Sequence, residues 1–334
     1  MYQANFHGTD ISAAKFLITG GAGFIGSNIV EYLVHHGAGH VRILDNLSEG
    51  KLENIEPFLN LDRVEFIEGD IDDLTTCESA CQGINFISHQ AALGSVPRSI
   101  ATPTITNNAN VTGFLNMLTA AKSAGVKRFV YASSSSVYGD HPELPKLEAN
   151  IGNQLSPYAV SKYVNELYSR VFASCYDFKT VGLRYFNVFG PRQKPDGPYA
   201  AVIPLFMDAL IKNQPPLING DGEQSRDFTF VVNAVEANIR SMFSDVTGAT
   251  GKVYNIAFGQ RRTINQLFLT LKDLSNSQIE AVHRDPRPGD VRHSLADISL
   301  ANKFLGYDPQ YDIDRGLDIT FEWFKQRFGQ AVDA

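Results

Sequence analysis

The stretch Lys15–Asn46, KFLITGGAGFIGSNIVEYLVHHGAGHVRILDN, most constrains what this chain can fold into. It opens with an apolar run, Phe16-Leu17-Ile18, of the kind that forms a buried strand. A glycine-rich turn follows, with Gly20, Gly21, Gly23 and Gly26. Ile25, Ile29, Leu33 and Val34 then recur at helical spacing, and a second apolar run, Val41 to Leu44, ends in Asp45. Strand, tight turn, helix and strand, with an acid at the second strand's tip, suit a dinucleotide. Glycines let the backbone approach a pyrophosphate, and a helix N-terminus offers free N–H groups and the positive end of its dipole. Asp45 stands where an acid hydrogen-bonds a ribose 2′-hydroxyl, and a carboxylate repels a 2′-phosphate, so NAD is expected over NADP. The alternative is a glycine turn of an α/β protein with no ligand.

At 334 residues the chain can bury a large core in one or two domains. A net charge of −7 argues against nucleic acid as the main partner. No apolar run reaches the roughly 18 residues of a membrane span. The opening MYQANFHGTD lacks the charged and apolar parts of a signal peptide and reads as a short arm before the first strand. Cys77, Cys81 and Cys175 are too few for a disulfide framework, which fits a reducing cytoplasm. Cys77 and Cys81 lie four apart on an expected helix, but with no His nearby they read as small buried residues and no metal is expected.

Past Asp45 the apolar patterning alternates. Val64–Asp70 reads as a third strand, Leu74–Cys81 as a helix, and Asn85–His89 as a fourth strand. Gln90–Ser99 reads as a loop at a strand's carboxyl end, where such sheets bind ligands. Asn107–Ala124 reads as one long amphipathic helix with Val111, Phe114, Leu115 and Leu118 on a face. Arg128–Ala132 is a fifth strand running into Ser133–Ser136, Ser156–Tyr176 a second long helix, and Thr180–Leu183 a sixth strand. The alternation predicts an α/β fold of Rossmann type with a doubly wound parallel sheet. Glycine and proline become frequent after about residue 190. The expected division is therefore a dinucleotide-binding domain over 1–190 and a smaller, loop-rich lobe over 191–334, interleaved with the last sheet elements.

Ser134 at the end of the fifth strand, with Tyr158 and Lys162 in SPYAVSK, makes a chemical set. Residues four apart share a helix face, and an ammonium beside a phenol lowers its pKa, making it a general base. Taken alone, the tyrosine and lysine would be an ordinary exposed pair. Ser136 is a second candidate, because four serines in a row blur the register. His89 reads as a core histidine at a strand end, and His35, His36 and His40 as solvated.

These pieces carry a resemblance. TGGAGFIG (Thr19–Gly26), GDI (Gly69–Ile71), HQAA (His89–Ala92), YASSSSVYGD (Tyr131–Asp140) and SPYAVSK (Ser156–Lys162) appear in order. LRYFNVFGPRQ (Leu183–Gln193), INGDGEQSRDF (Ile218–Phe228) and RPGDVRHS (Arg287–Ser294) follow, so the match spans nearly the whole chain. The sequence resembles the extended short-chain dehydrogenase/reductases that are nucleotide-sugar 4-epimerases, and most of all the UDP-N-acetylhexosamine 4-epimerases. The resemblance implies NAD held by Gly20, Gly23, Phe24, Ile25, Gly26, Asp45, Asn46, Asp70, Ile71, Gln90, Ala91, Ala92, Tyr158, Lys162 and Tyr185. It implies a UDP-sugar met by Ser134, Ser135, Ser136, Asn187, Val202, Asn219, Arg226, Arg287, Asp290 and Ser294. Guanidinium forks at Arg226 and Arg287 suit a diphosphate on their own chemistry.

The implied reaction is inversion at C4 through a transient 4-keto sugar, interconverting UDP-GlcNAc and UDP-GalNAc. Its rivals are a UDP-glucose/UDP-galactose 4-epimerase and a UDP-glucuronate epimerase or decarboxylase, for which Arg98 or Arg292 could supply the extra cation. A 4,6-dehydratase fits less well, because Ser134 is followed by serines and valine with no carboxylate. A non-catalytic NAD-binding protein is the reading from another class, and the intact Ser134, Tyr158 and Lys162 argue against it. Ser294 is implied to line the pocket beside the sugar's C2 substituent, where a small residue leaves room for an acetamido group. A homodimer is expected if the two long helices keep apolar stripes that the sheet does not cover.

Overall fold

The computed structural model describes residues 1–195, 200–286 and 291–328. Six strands appear in chain order: β1 (Lys15–Thr19), β2 (His40–Asp45), β3 (Val64–Glu68), β4 (Phe86–His89), β5 (Arg128–Ser134) and β6 (Thr180–Tyr185). They form one parallel sheet in the order β3-β2-β1-β4-β5-β6, and Lys252–Ile256 adds a seventh strand beside β6. β1 pairs with β2 on one side and β4 on the other, so the winding reverses there and opens a crevice at the strands' carboxyl ends. The expected fold class is therefore the observed one. The seventh strand and the helix Val231–Phe243, which packs on the sheet and on α1 (Phe24–His35), both come from beyond residue 190.

Both faces of the sheet are covered, which is why its strands read as continuous apolar runs. Successive side chains point to opposite faces: Phe16 and Ile18 enter one core with Ile29 and Leu33 of α1, while Leu17 enters the other. The second core is closed by α2 (Leu74–Cys81) and the helix Gly113–Ser123, through Cys77, Cys81, Phe114 and Leu118. Both cysteines are buried and burial pushes their thiols up to about 12, so they are packing groups.

Two expectations need correction here. Gln90–Ser99 is not all loop: α3 (Val96–Ala101) begins inside it, capped by Ser95 Oγ accepting from the Arg98 N–H at 3.1 Å, with Pro97 in its first turn. Asn107–Ala124 is not one uniform helix either. α4 (Pro103–Asn107) leads into a single π turn, Asn108–Thr112, before α5 (Gly113–Ser123). A π turn takes in an extra residue and re-aims its side chains. The stripe of Phe114 and Leu118 is fully buried within the chain.

The N-terminal arm is folded down onto α1. Tyr2 is buried and donates to Asn28 Oδ1 at 2.6 Å, and Phe6 stacks on Tyr32 at 5.3 Å. The arm also covers His36, which lies 4.3 Å from the Tyr32 ring, so that histidine is half-buried rather than solvated.

α6 (Pro157–Tyr176) is mounted with its polar face inward. Its buried residues are Ala159, Ser161, Lys162, Asn165, Glu166 and Ser169, whereas Val160, Leu167 and Val171 are exposed. Hydrogen bonds dominate the inner face, with Tyr168 and Phe172 packing against the second core. Lys162 Nζ donates to the Ala132 carbonyl at 3.0 Å, Ser133 Oγ to Glu166 at 2.6 Å, and Ser169 Oγ to Thr180 Oγ1 at 2.7 Å. Lys162, Glu166 and Ser169 thus have partners on β5 or β6, while Ser161 Oγ accepts from Asn110 Nδ2 at 3.1 Å and Asn165 Oδ1 is left without a partner.

Candidate active site

The glycine turn after β1 is built by close backbone approach. Gly20 has φ +64°, and a Cβ there would lie 2.7 Å from the Ala91 nitrogen. A Cβ on Gly26 would lie 2.1 Å from the Gly20 carbonyl oxygen. Only glycine fits either place. Gly23 caps α1 with no side-chain hydrogen bond, and no acidic residue occupies the first turn, so the N–H groups around Phe24 and Ile25 are available to an anion. This cradle and donor set fit the pyrophosphate of a dinucleotide.

Asp45 ends β2 and is 6% exposed. Its Oδ2 accepts from the Ala22 N–H at 2.9 Å and its Oδ1 from the Leu47 N–H at 2.8 Å. Burial raises its pKa, and those N–H groups oppose the rise. The acid therefore braces the glycine turn from the neighbouring strand. Asn46 Nδ2 donates to Asp70 Oδ2 at 2.7 Å, which lines both up along the sheet's carboxyl edge, with Ile71 buried behind them.

At the end of β4, His89 is buried with Nδ1 2.8 Å from Thr19 Oγ1. Burial, reinforced by the Lys162 charge, pushes it down to about 3, so it is a neutral core histidine. Gln90 Oε1 accepts from the Tyr185 hydroxyl at 3.2 Å, and its amide donates to Ser88 Oγ and Asn238 Oδ1 at 2.9 and 3.0 Å. Asn238 Nδ2 donates back to the Tyr185 oxygen at 2.6 Å. Ala91 N–H reaches Thr19 Oγ1 at 3.3 Å, and Ala92 is half-buried beside it. Sequence reading missed Asn238, Ser88 and Thr19. It also missed Asn110, which the π turn aims at Leu93: Oδ1 accepts from its N–H at 2.8 Å and Nδ2 donates to its carbonyl at 3.1 Å.

β5 and α6 bring Ser134, Tyr158 and Lys162 together. The strand alternation sorts the serines: Ser133 turns to Glu166, while Ser134 lies on the opposite face, near enough to the Tyr158 phenol to oppose the rise in its pKa. Ser135 opens a short 3-10 turn, and Ser136 donates to Ser134 Oγ from its N–H at 3.1 Å and its hydroxyl at 3.0 Å. Lys162 Nζ is 6.0 Å from the Tyr158 ring centre, and burial lowers its pKa to about 8. The expected lowering of Tyr158 by Lys162 is not what is found. Desolvation raises the phenol, and Ser134 is the group that opposes the rise. The ammonium is directed instead at the Ala132 carbonyl.

The second lobe gathers most of the remaining candidates around Asp227. Asn187, at φ +39°, donates to the Asp227 carbonyl at 3.0 Å. Arg226 stands on the short strand Ser225–Asp227, and its Nη1 donates to the Ser225 and Arg292 carbonyls at 3.0 and 3.2 Å. Ser294 N–H donates to the Ser225 carbonyl at 3.0 Å, and His293 Nδ1 lies 2.9 Å from Ser225 Oγ. Arg226 and Ser294 thus flank one strand. Val202 begins the helix Val202–Ile211, and Asn219 accepts from Arg284 Nε at 2.6 Å. Arg98 pairs with Glu49 at 2.7 Å and Arg292 with Asp221 at 2.8 Å. Arg287 and Asp290 lie outside the described residues.

Fold and site together define a dinucleotide-dependent enzyme with a tyrosine–lysine pair at the crevice. The chain belongs to the NAD dependent epimerase/dehydratase family, whose model matches residues 16–257. Its cofactor is NAD. A solved UDP-N-acetylglucosamine 4-epimerase from Methanobrevibacter ruminantium, in complex with UDP-N-acetylmuramic acid, is 41% identical, with TM-score 0.89 over 94% of this chain and 99% of that one. A Thermus thermophilus UDP-glucose 4-epimerase in complex with NAD is 34% identical, with TM-score 0.83 over 93% and 99%. A UDP-glucuronate 4-epimerase of Thermodesulfobacterium geofontis is 31% identical over 93% of this chain and 96% of its own length.

The lobe's hub yields a pH prediction. Asp227 is fully buried, with Oδ1 accepting from the Phe258 and Gly259 N–H groups at 3.2 Å and Oδ2 from Ala296 at 3.1 Å. Burial nevertheless pushes its carboxyl up from 3.8 to about 7. The folded chain therefore keeps a proton that the unfolded chain releases near pH 4. The stability this proton confers is full below about pH 4 and is lost as pH rises to about 7. Asp227→Asn is expected to flatten that part of the curve of melting temperature against pH. A variant curve parallel to the wild type over this window rejects the assignment.

Proposed function

We propose that the protein is a UDP-sugar 4-epimerase that interconverts UDP-GlcNAc and UDP-GalNAc. The observation that carries this reading is the gathering of Ser134, Tyr158 and Lys162 at the carboxyl end of β5 in a chain of the NAD dependent epimerase/dehydratase family. Tyr158 is the base that takes the proton of the sugar 4-hydroxyl, and Ser134, which opposes the rise in its pKa, shares that proton by hydrogen bond. Bound NAD supplies the acceptor, and then the donor, of the hydride at C4. The glycine turn and the N–H groups of Gly23, Phe24, Ile25 and Gly26 hold its pyrophosphate, and Asp45, Asn46, Asp70 and Ile71 its adenosine end. Gln90, Ala91, Ala92, Lys162 and Tyr185 hold its nicotinamide end. Arg226 and Arg287, with Asn187, would grip the diphosphate, Asp290 would hold the uridine ribose, and Val202 and Asn219 would line the UDP-sugar site. That grip lets the transient 4-keto sugar turn over without leaving. Free, buried Cys77 and Cys81 support a reducing, cytoplasmic setting.

Tyr158→Phe keeps the ring and removes the base. Turnover is expected to fall by about 10²-fold or more while the purified protein still releases NAD(H) on denaturation. A variant with wild-type turnover rejects Tyr158 as the base.

The choice of sugar rests on Ser294, small and half-buried, whose N–H donates to the Ser225 carbonyl on the strand that carries Arg226. A site with a polar group placed for an acetamido substituent loses affinity when that substituent is missing. Incubation with UDP-GlcNAc, UDP-Glc and UDP-GlcA in turn, with product analysis, is expected to favour UDP-GlcNAc. Ser294→Tyr is expected to abolish that reaction selectively. Faster turnover of UDP-Glc by the wild type, or an unaffected variant, overturns the assignment of the sugar.

We also propose a homodimer. Val160, Leu167 and Val171 on α6 and Ile105 on α4 form an exposed apolar face around a groove lined by Pro103, Val111 and Val164. Across a two-fold axis this face would pair helices into a four-helix bundle. Sedimentation is expected to give twice the chain mass for the wild type and a single chain for Leu167→Glu. A wild-type monomer at micromolar concentration counts against the proposal.

A further inference from the structure

We propose that Glu166 is a positioning residue: its buried bonds to Ser133 and Arg184 set the register of α6 against β5, and thereby hold the Tyr158 phenol at the Ser134 hydroxyl. The inference rests on the reading of this site as a UDP-sugar 4-epimerase and goes beyond it, to a group that does not touch the substrate.

Tyr158, Lys162 and Glu166 follow one another four residues apart, so they lie along one face of α6. The three meet the sheet at consecutive points. Tyr158 meets Ser134, Lys162 meets the Ala132 carbonyl, and Glu166 meets Ser133. Glu166 is the most heavily anchored of them. Its Oε1 accepts from Ser133 Oγ at 2.6 Å and from Arg184 Nε at 2.9 Å, and its Oε2 accepts from Arg184 Nη2 at 2.7 Å. The carboxylate side chain is 0% exposed and the guanidinium 3%. Arg184 is fixed in turn: Nη1 donates to the Glu148 carbonyl at 3.0 Å, and the guanidinium lies over the Tyr138 ring at 4.8 Å. A bidentate ion pair with every donor aimed tolerates little sliding or rotation.

The chain positions matter as much as the bonds. Ser133 precedes Ser134, and Arg184 precedes Tyr185. The carboxylate therefore ties α6 to β5 and β6 one residue short of the crevice on each strand. Val160, Leu167 and Val171 of α6 point away from the sheet, and the apolar residues it does pack on the second core, Tyr168 and Phe172, lie beyond Glu166 from the crevice. A buried ion pair is a poor source of net stability, because desolvation offsets its attraction. Its geometry is the more telling property.

The test uses the full-length protein and two variants, assayed well below their melting temperatures. Ser133→Ala removes the tie to β5 and leaves the Glu166–Arg184 pair intact. Glu166→Gln with Arg184→Met removes both buried charges together, so that no unpaired charge is left to unfold the protein. With UDP-GlcNAc, both are expected to lose about tenfold or more in kcat with KM nearly unchanged, since misplacing a catalytic pair costs rate rather than binding. Wild-type kcat in Ser133→Ala, with only its melting temperature lowered, reduces Glu166 to a packing role and overturns the proposal. If the double variant does not fold, Ser133→Ala alone decides. A wild type that turns over no UDP-sugar overturns the epimerase reading and this inference with it. An active wild type with unaffected variants overturns this inference alone.

Discussion

Backbone packed directly against backbone at Gly20 and Gly26 is the constraint on which the rest of the site depends. The carbonyl of Gly20 occupies the space where a side chain on Gly26 would be, and the Ala91 backbone occupies the space beside Gly20. β1, α1 and the loop after β4 are thereby drawn together at the point where the sheet reverses its winding. The crevice, the uncapped start of α1 and the reach from β5 all follow from this approach. A methyl group at either glycine would separate elements that must be within a few ångströms of one another.

The two ends of the sheet serve different purposes. β1 to β3 present the glycine turn, Asp45 and Asp70, the groups proposed to hold the nucleotide. β5 and β6 present Ser134 and Tyr185 toward the Tyr158–Lys162 pair on α6, the groups proposed to move a proton. Gln90 stands between them, bonded to Tyr185 and, through Asn238, to the helix beneath the sheet. In the later part of the chain, Asp227 gathers Asn187, the 258–259 turn and Ala296 around the strand that carries Arg226.

Much of this was legible in the sequence, because parallel strands buried on both faces are apolar runs and the turns between them have their own chemistry. The limits of α2 matched the reading residue for residue, and β1, β2 and β4 differed by a residue or so. Periodicity was less informative on α6. It shows that two faces differ, but not which one meets the sheet, and here the polar face does. The π turn at Asn108–Thr112 left no trace in the apolar spacing, so neither the break nor the aim of Asn110 could be read. Asn238, Ser88 and Thr19 matter only because distant segments bring them to Gln90 and His89. The strand Lys252–Ile256 takes its place from pairing with β6, far back in the chain. The four serines could not be told apart until the pleat of β5 sent Ser133 and Ser134 to opposite sides.

Asp45 has a bearing on cofactor redesign. Its two oxygens hold the Ala22 and Leu47 N–H groups, so the carboxylate is part of the turn's own scaffold as well as the proposed discriminator between ribose forms. A substitution chosen only to admit a 2′-phosphate would strip two buried donors of their acceptor, at a cost of about 1–3 kcal/mol for each one left unsatisfied. Cofactor preference and the integrity of the loop that binds either cofactor are therefore linked through one side chain. Exchanging the first without loosening the second requires a replacement acceptor at the tip of β2, for which an asparagine carbonyl can serve one of the two N–H groups.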